Sequence, residues 1–580
     1  MTSSEKSISR RSFLGLTGAA ATITAAAGLY GCAQPASSSG GSLASTKGSA
    51  AGPIEAVSAP ASWDEEADVV VVGTGGGLVA AAYAAQAGKK VVVLEKASTW
   101  GGSSKETDNF SVMGTKTQQA IYQGLAAQMK AAGQDEAAAQ FEQMGALDPM
   151  VMRAQWKEKF YVKPNGGDVG ELPNGEEGPR ACAPIQPMLE TLTACIPDAI
   201  DYMGAVGVSW GPVTEFGSAG FVSGVCPEGS EQGSLIARAN YTVFEILYNF
   251  CLDQGAVFHF LTPATALVVE DGRVVGVQAT GDVSFVKAND GVVLATGGMT
   301  FNMDMLEEYV PHVARRCLNS TAASTDEGDG IRMGAWVGGA IDEAPHCPMY
   351  FDEGVEGLEH MPSIPLTRQP WLYLNDLGER FCNEDMPYAF VCRAHNAQPR
   401  HMKWVFWDSK WEIDGPAMGM VVCKDFRSPL HNPEEIQQFI EEGTILSADT
   451  IDGLLAKMEG IDAETAKASI ERYNELCAAG VDEDFGKRRQ CLSSLTEPPF
   501  YGVHAGTTLL VTMGGLKINE NQQVIDADAH PIEGLWAAGN CSGSFFFGDY
   551  PITISGASHG RACTGGRRAG QFAADRALGA

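Results

Sequence analysis

Apolar and polar positions along this chain fall into a repeating strand–turn–helix rhythm. Asp68-Val69-Val70-Val71-Val72 is a continuous β-branched run, which reads as a strand buried on both faces. The glycine cluster Gly73-Thr74-Gly75-Gly76-Gly77 follows at once, then an Ala-rich helical stretch, Leu78 to Gln86, and a second apolar strand, Lys90 to Glu95. Gly291 to Leu294 is another short buried strand. Asp271-Gly272, ahead of Arg273-Val274-Val275-Gly276-Val277, puts turn residues where a hairpin needs them. Near the C-terminus, Gly556-Ala557-Ser558-His559-Gly560-Arg561-Ala562 reads as a helix start. This alternation predicts an α/β fold.

The first sixty residues follow a different pattern. Ser9-Arg10-Arg11-Ser12-Phe13-Leu14-Gly15 is a twin-arginine pattern, followed by a weakly apolar Ala/Gly/Leu run to about Leu29. That run is short for a membrane-spanning helix and has the flanks of a signal peptide. The expectation is export by the twin-arginine route, which carries proteins already folded, usually around a cofactor. Leu29-Tyr30-Gly31-Cys32 resembles a lipoprotein box with Cys32 as the lipidated residue, against the alternative of ordinary cleavage nearby. Residues 33–62 are rich in Ser, Gly, Ala and Pro and carry too little bulky apolar content to pack, so they read as a flexible linker.

Composition narrows the function classes. The 580-residue chain is 44% hydrophobic and 19% charged, long enough for more than one core. Its formal net charge of -31 would repel phosphate backbones, which argues against a nucleic-acid partner. The 68 glycines suit many tight turns and close backbone approaches. The 14 cysteines show no Cys-x-x-Cys spacing and read mostly as small core residues, with disulfide pairing and a cysteine-ligated cluster left open. No metal site is expected.

The strand, glycine loop, helix and second strand make a dinucleotide-binding unit. Glycines there permit the turn and let N–H groups reach a pyrophosphate at the helix N-terminus, while Glu95 can accept from ribose hydroxyls. Leu78 stands where a third glycine of the fingerprint would fall, and Gly77 is the substitute. Gly101-Gly102-Ser103-Ser104, Ala295-Thr296-Gly297-Gly298 and Gly534-Leu535-Trp536-Ala537-Ala538-Gly539-Asn540 are further segments that point to FAD rather than NAD.

In the order of these motifs, from about Ala67 onward, the chain resembles the FAD-binding subunits of the fumarate reductase and succinate dehydrogenase superfamily, which includes 3-ketosteroid dehydrogenases. The resemblance implies a non-contiguous Rossmann-like FAD-binding domain, residues 63–345 and 503–580, with an inserted α+β substrate-capping domain at 346–502. It implies FAD contacts from Gly73, Gly75, Gly76 and Gly77, from Glu95 and Lys96, and from Gly101, Gly102, Ser103 and Ser104. Ala295, Thr296, Gly297, Gly298, Asp329, Gly539 and Asn540 complete the expected set.

At the substrate end the chain departs from the fumarate reductase pattern. There a His precedes Thr-Met-Gly-Gly and two Arg clamp the dicarboxylate, because guanidinium matches carboxylate bidentately. Here Val511 precedes Thr512-Met513-Gly514-Gly515. Beyond Gly378-Glu379-Arg380-Phe381-Cys382-Asn383-Glu384, Met386-Pro387-Tyr388 stands where an Arg is expected, and Tyr550 takes the place of the second. Asn383-Glu384-Asp385-Met386-Pro387-Tyr388 and Tyr550-Pro551 instead resemble ketosteroid dehydrogenases. That resemblance makes Tyr388 a proton-shuttling residue. Tyr550, with a glycine N–H at Gly556, becomes the binder of a substrate ketone, though Gly556 falls about two residues late. A phenol, with pKa about 10, suits a neutral carbonyl better than a carboxylate pair.

The expected activity is hydride transfer between flavin and a C–C or C=C bond next to a carbonyl, reducing an enone, enoate or unsaturated lactone. The substrate is then a small neutral carbonyl compound and the electron donor a membrane or cytochrome partner. Oxidative 3-ketosteroid dehydrogenation, fumarate or urocanate reduction, and a non-enzymatic flavin electron-transfer lipoprotein are the alternatives. His559, Arg393, His395 and the Phe545-Phe546-Phe547 run read as structural or packing residues, the last also as a wall for an apolar pocket.

Overall fold

The computed structural model describes residues 57–106, 110–111, 115–135, 138–139, 141–142, 187–212, 224–227, 238–314, 316–320, 322–355, 364–386, 388–418, 433–546, 548, 550 and 556–575. The twin-arginine pattern, Cys32 and nearly all of the linker lie outside them, as do Pro387, Phe547 and Pro551.

An eight-stranded sheet organises the chain. Its parallel core runs, edge to edge, β17 (Pro531–Ala537), β9 (Phe285–Leu294), β1 (Glu65–Val72), β2 (Val91–Leu94) and β6 (Val257–His259). β16 (Gln523–Ile525) pairs antiparallel outside β17, and the hairpin β7 (Ala264–Glu270) and β8 (Arg273–Ala279) joins antiparallel to β9. Asp271 and Gly272 both take positive φ between β7 and β8, the backbone that a two-residue hairpin turn demands.

The run Val69–Val72 is buried because β1 lies at the centre of the sheet under helices. Each such Val contributes about 1.5–3 kcal/mol on burial. One covering helix, α1 (Gly76–Gln86), begins two residues earlier than its apolar pattern suggests. It packs against α2 (Arg238–Asp253) and against the long C-terminal helix α6 (Ala557–Ala574). The last of these contacts works because both surfaces are small: a methyl at Gly566 or Gly570 would overlap the carbonyls of Gly76 and Ala80.

A second, six-stranded sheet carries the inserted region. It contains β10 (Cys317–Ser320), β11 (Cys347–Val355), β12 (Leu372–Leu374), β13 (Lys403–Asp408), β14 (Leu446–Ala448) and the 14-residue β15 (Phe500–Met513). A small sheet of β3 (Phe110–Ser111), β5 (Gly224–Pro227) and β4 (Trp210–Pro212) lies apart from both. Residues 500–505 of β15 pair with β13 and β14, and residues 505–513 with β11 and β10. The strand therefore runs through the expected boundary at 502–503.

Burial follows the same division. One large apolar cluster joins the parallel sheet, α1, α6 and Leu509–Met513. Two smaller clusters fill the inserted region, one around Trp371, Trp407 and Val503, the other around Leu454, Ile470 and Phe500. The helix α4 (Tyr388–Asn396) serves two of them: Tyr388, Ala389 and Cys392 face the large cluster, and Val391 faces the cluster of Trp371. Two further helices matter below, α3 (Asp329–Trp336) and α5 (Ala463–Ala479).

Candidate active site

The expected cofactor segments converge at one place, the carboxyl ends of four adjacent parallel strands. Gly73–Gly77 follows β1, Glu95–Lys96 follows β2, Ala295–Gly298 follows β9, and Gly539–Asn540 follows β17. Open α/β sheets bind ligands at this edge.

Contact between the segments is backbone on backbone. Gly73 has φ +94, and a methyl there would overlap the Ala295 carbonyl. A methyl on Gly76 would sit 2.7 Å from the Ala562 carbonyl oxygen. One on Gly77 would press Val71 and Ala295 at 3.0 and 3.1 Å, so Gly77 does the packing that a third fingerprint glycine does elsewhere. Leu78 is fully buried one residue on.

Thr74, inside the glycine loop, is a link the sequence pattern does not announce. Its N–H and hydroxyl both donate to Glu95 Oε2, and its hydroxyl oxygen accepts from Gly101 N–H at 2.8 Å. Glu95 Oε1 accepts from Ala97 N–H. Gly101 and Gly102 take positive φ, Gly102 opens a 3₁₀ turn through Glu106, and Ser104 Oγ lies beside Gly75. Ser103 Oγ accepts from Ala323 N–H at 2.8 Å.

Lys96 reaches Glu327 and, at 2.8 Å, Asp329 in the first turn of α3. Asp329 also takes Arg332 at 2.6 Å. Thr296 Oγ1 accepts from Gly330 N–H, and Gly297 leaves room only for Asp326. Burial pushes the Asp326 carboxyl up to about 6, against hydrogen bonds from Thr300. Gly298 packs on Thr512, whose hydroxyl accepts from Met299 N–H.

These residues fit FAD. The cradle excludes even a Cβ at Gly73 and Gly76, and the first N–H groups of α1 have no acceptor within the helix. They stand at its positive end, ready for a pyrophosphate. Gly73→Ala should therefore lower the flavin-to-protein ratio of the purified protein. The overlap with the Ala295 carbonyl must displace the loop at the cofactor edge of the sheet, on top of a backbone cost to stability of about 1–2 kcal/mol. Gly88→Ala carries the same backbone penalty at φ +83 with nothing within 4 Å, and should keep its flavin.

The last cofactor segment leads directly to Tyr550. Ser558, in the first turn of α6, donates its hydroxyl to Asn540 Oδ1 at 3.4 Å and its N–H to the Tyr550 hydroxyl at 3.3 Å. Gly556 caps that helix in the left-handed conformation, so here it shapes the helix start. Tyr550 is buried against Phe546, with ring centroids 5.5 Å apart, and Phe545 stands edge-on to Phe546.

Tyr388 opens α4, fully buried, 4.8 Å from the Phe351 ring of β11. Both tyrosines belong to the large apolar cluster. Val511 is buried in β15. His395 bonds Thr507, Arg393 is exposed, and His559 packs near Phe244.

The segment ahead of Tyr388 is an ionic anchor. Arg380 grips Glu384 through Nε and Nη2 at 2.7 Å each, and Asp482 through Nη1 and Nη2 at 2.9 and 2.7 Å. Lys487 lies 3.3 Å from Glu384 and donates to the Tyr473 hydroxyl of α5. Burial raises the Asp482 carboxyl, but Arg380 and the Lys487 N–H outweigh it and hold that group well below the usual range. Glu384 thus fixes the entry into α4.

Comparison with known proteins agrees with this architecture. Residues 68–552 match the FAD binding domain family. The chain is 31% identical to a vinyl phenol reductase of Lactiplantibacillus plantarum over 54% of its own length and 67% of the relative's. It is 28% identical to a 3-oxosteroid 1-dehydrogenase of Mycobacterium tuberculosis, covering 56% of this chain and 61% of that one. It is 29% identical to an NADH:acrylate oxidoreductase of Vibrio harveyi, over 54% of this chain and only 30% of that much longer one. A flavocytochrome c3 fumarate reductase shares the fold with TM-score 0.62 at 22% identity, over 89% of this chain and 80% of that one. A 3-ketosteroid-Δ4-(5α)-dehydrogenase of Rhodococcus jostii does so with the same score and identity, over 90% and 100%.

Proposed function

The chain belongs to the FAD binding domain family and is an FAD-dependent oxidoreductase, and from that premise we propose that it reduces a C=C bond conjugated to a carbonyl in a small neutral substrate. FAD, when bound and reduced by an electron donor, would supply the hydride that the β-carbon receives. Tyr388 gives the proton to the α-carbon. Tyr550 donates its O–H to the carbonyl oxygen and stabilises the charge that develops there. Hydride and proton together complete the two-electron reduction, and the reverse sequence is a dehydrogenation.

The observation that carries this reading is the chain from Asn540 through Ser558 to Tyr550, which ties a buried hydroxyl to the end of the cofactor cradle. A hydroxyl that accepts an N–H bond is polarised to donate more strongly. The apolar surroundings of both tyrosines support a neutral ligand over a dicarboxylate. Names among the relatives (vinyl phenol, acrylate, 3-oxosteroid) span conjugated substrates with and without a carboxylate.

In the same reading a membrane or cytochrome donor supplies electrons, the Arg10-Arg11 pattern directs export, and Cys32 carries a lipid. These rest on the sequence alone.

The test is anaerobic. Dithionite-reduced protein is mixed with cyclohexenone, an unsaturated lactone, vinyl phenol, a 3-ketosteroid, acrylate or fumarate, and flavin absorbance is followed. A neutral conjugated carbonyl compound should reoxidise the flavin faster than either carboxylate. Fumarate as the fastest oxidant would overturn the reading.

A further inference from the structure

Arg561 occupies an unusual position for a cation. It lies in the second turn of α6 and is 2% exposed. Its Nη2 donates to the carbonyl and, at 2.8 Å, the hydroxyl of Ser542, and reaches the Gly543 carbonyl at 3.5 Å. The guanidinium stands 5.6 Å from both the Phe545 and Phe546 ring centroids. Its Nη1 is buried and has no hydrogen-bond partner among the described residues. The same turn is held from the other side by Asp342, whose carboxylate accepts Ser544 N–H at 2.9 Å.

Two relations tie this cation to Tyr550. Phe546, under the guanidinium, bears on the Tyr550 ring. Ser558, which donates to the Tyr550 hydroxyl, is three residues before Arg561, so the two lie on one face of α6 a turn apart. A buried charge with an unused donor is costly unless something anionic completes it.

Building on the proposed role of Tyr550, we propose that Arg561 is the positive charge of an oxyanion site: it fixes the Ser542–Phe546 turn behind Tyr550 and stabilises a phenolate- or enolate-type oxygen bound at the Tyr550 hydroxyl. Asp342 opposes it, lowering the local potential. Burial pulls the Arg561 guanidinium down to about 10, against the attraction of Asp342, so the side chain remains charged at neutral pH.

The test uses the oxidised holoprotein and a series of substituted phenols from 4-methylphenol to 4-nitrophenol, with binding read from the perturbed flavin spectrum at pH 7. In the wild type, affinity should rise with phenol acidity. Arg561→Gln should flatten that slope and weaken the 4-nitrophenol complex by about 10- to 100-fold, the worth of one hydrogen bond to a charged group. Arg561→Lys, which keeps the charge without the planar fork, should restore most of the slope. Asp342→Asn should steepen it, a change of opposite sign that stands if the Gln variant fails to fold. An unchanged slope in a folded, flavin-loaded Arg561→Gln protein, or in Asp342→Asn, overturns the proposal. Enone-driven reoxidation separates the two levels: if Tyr550→Phe is slow while Arg561→Gln is not, only the role of Arg561 falls. If both are as fast as wild type, the tyrosine reading falls with it.

Discussion

Tyr388→Phe should slow enone-driven reoxidation of the reduced protein by roughly 10²–10⁴, the usual worth of a positioned general acid. The substitution keeps the ring that packs 4.8 Å from Phe351, so neither α4 nor the cluster around it loses volume. Flavin content should stay near wild type. What goes is the proton, and the loss should therefore appear in kcat, with KM little changed, because the hydroxyl acts late and binds the ground state weakly. A solvent deuterium effect on turnover should persist or grow in the variant, where the slower proton transfer limits the rate. Full activity of Tyr388→Phe would remove this residue from the chemistry and leave it as packing at the start of α4.

Tyr550→Phe should cost about 10²–10³ in turnover, the loss seen when one donor to a developing oxyanion is removed. The mechanism differs from that of Tyr388, and so should the signature. Tyr550 polarises the carbonyl throughout the reaction, so a substrate with a more electron-poor alkene should suffer less from its loss. The change also leaves the Ser558 N–H without its phenol acceptor, a penalty of about 1–3 kcal/mol if no water replaces it. A modest fall in melting temperature should therefore accompany the kinetic loss in this variant. A folded Tyr550→Phe protein that reduces an enone at the wild-type rate would refute the assignment.

The cofactor cradle is legible in sequence because each of its parts is local. A buried strand followed at once by glycines or an acid states its role within ten residues, and the structure brings four such strand ends side by side. Gly77 shows the limit of pattern matching: the fingerprint wants a glycine at 78, while the packing needs one at 77, against Val71 and Ala295. Other features are written across long separations. Lys96 meets Glu327 and Asp329 more than 200 residues away, and Arg380 meets Asp482 across 102. Pairings of that span leave no periodicity to read. Thr74 hides among glycines, where only its hydroxyl bonds to Glu95 and Gly101 reveal a purpose. Arg561 is visible only as part of a helix start, and a helix start does not say which side chains face inward.

One feature of the sheet bears on how such a protein could change its substrate. Because β15 pairs at one end with β13 and β14 and at the other with β11 and β10, the expected cap and the expected FAD-binding part are ribs on a common beam. Cutting out residues 346–502 would remove β11 and β13 from beside 503–513, leaving those residues paired only with β10 and with bare N–H and C=O groups along one side, an invitation to self-association. A foreign cap could be grafted only together with the beam, and the beam carries Thr512 against Gly298. Substrate range in this architecture would therefore shift by replacing individual side chains such as those around Tyr388 and Phe546, and not by exchanging whole modules.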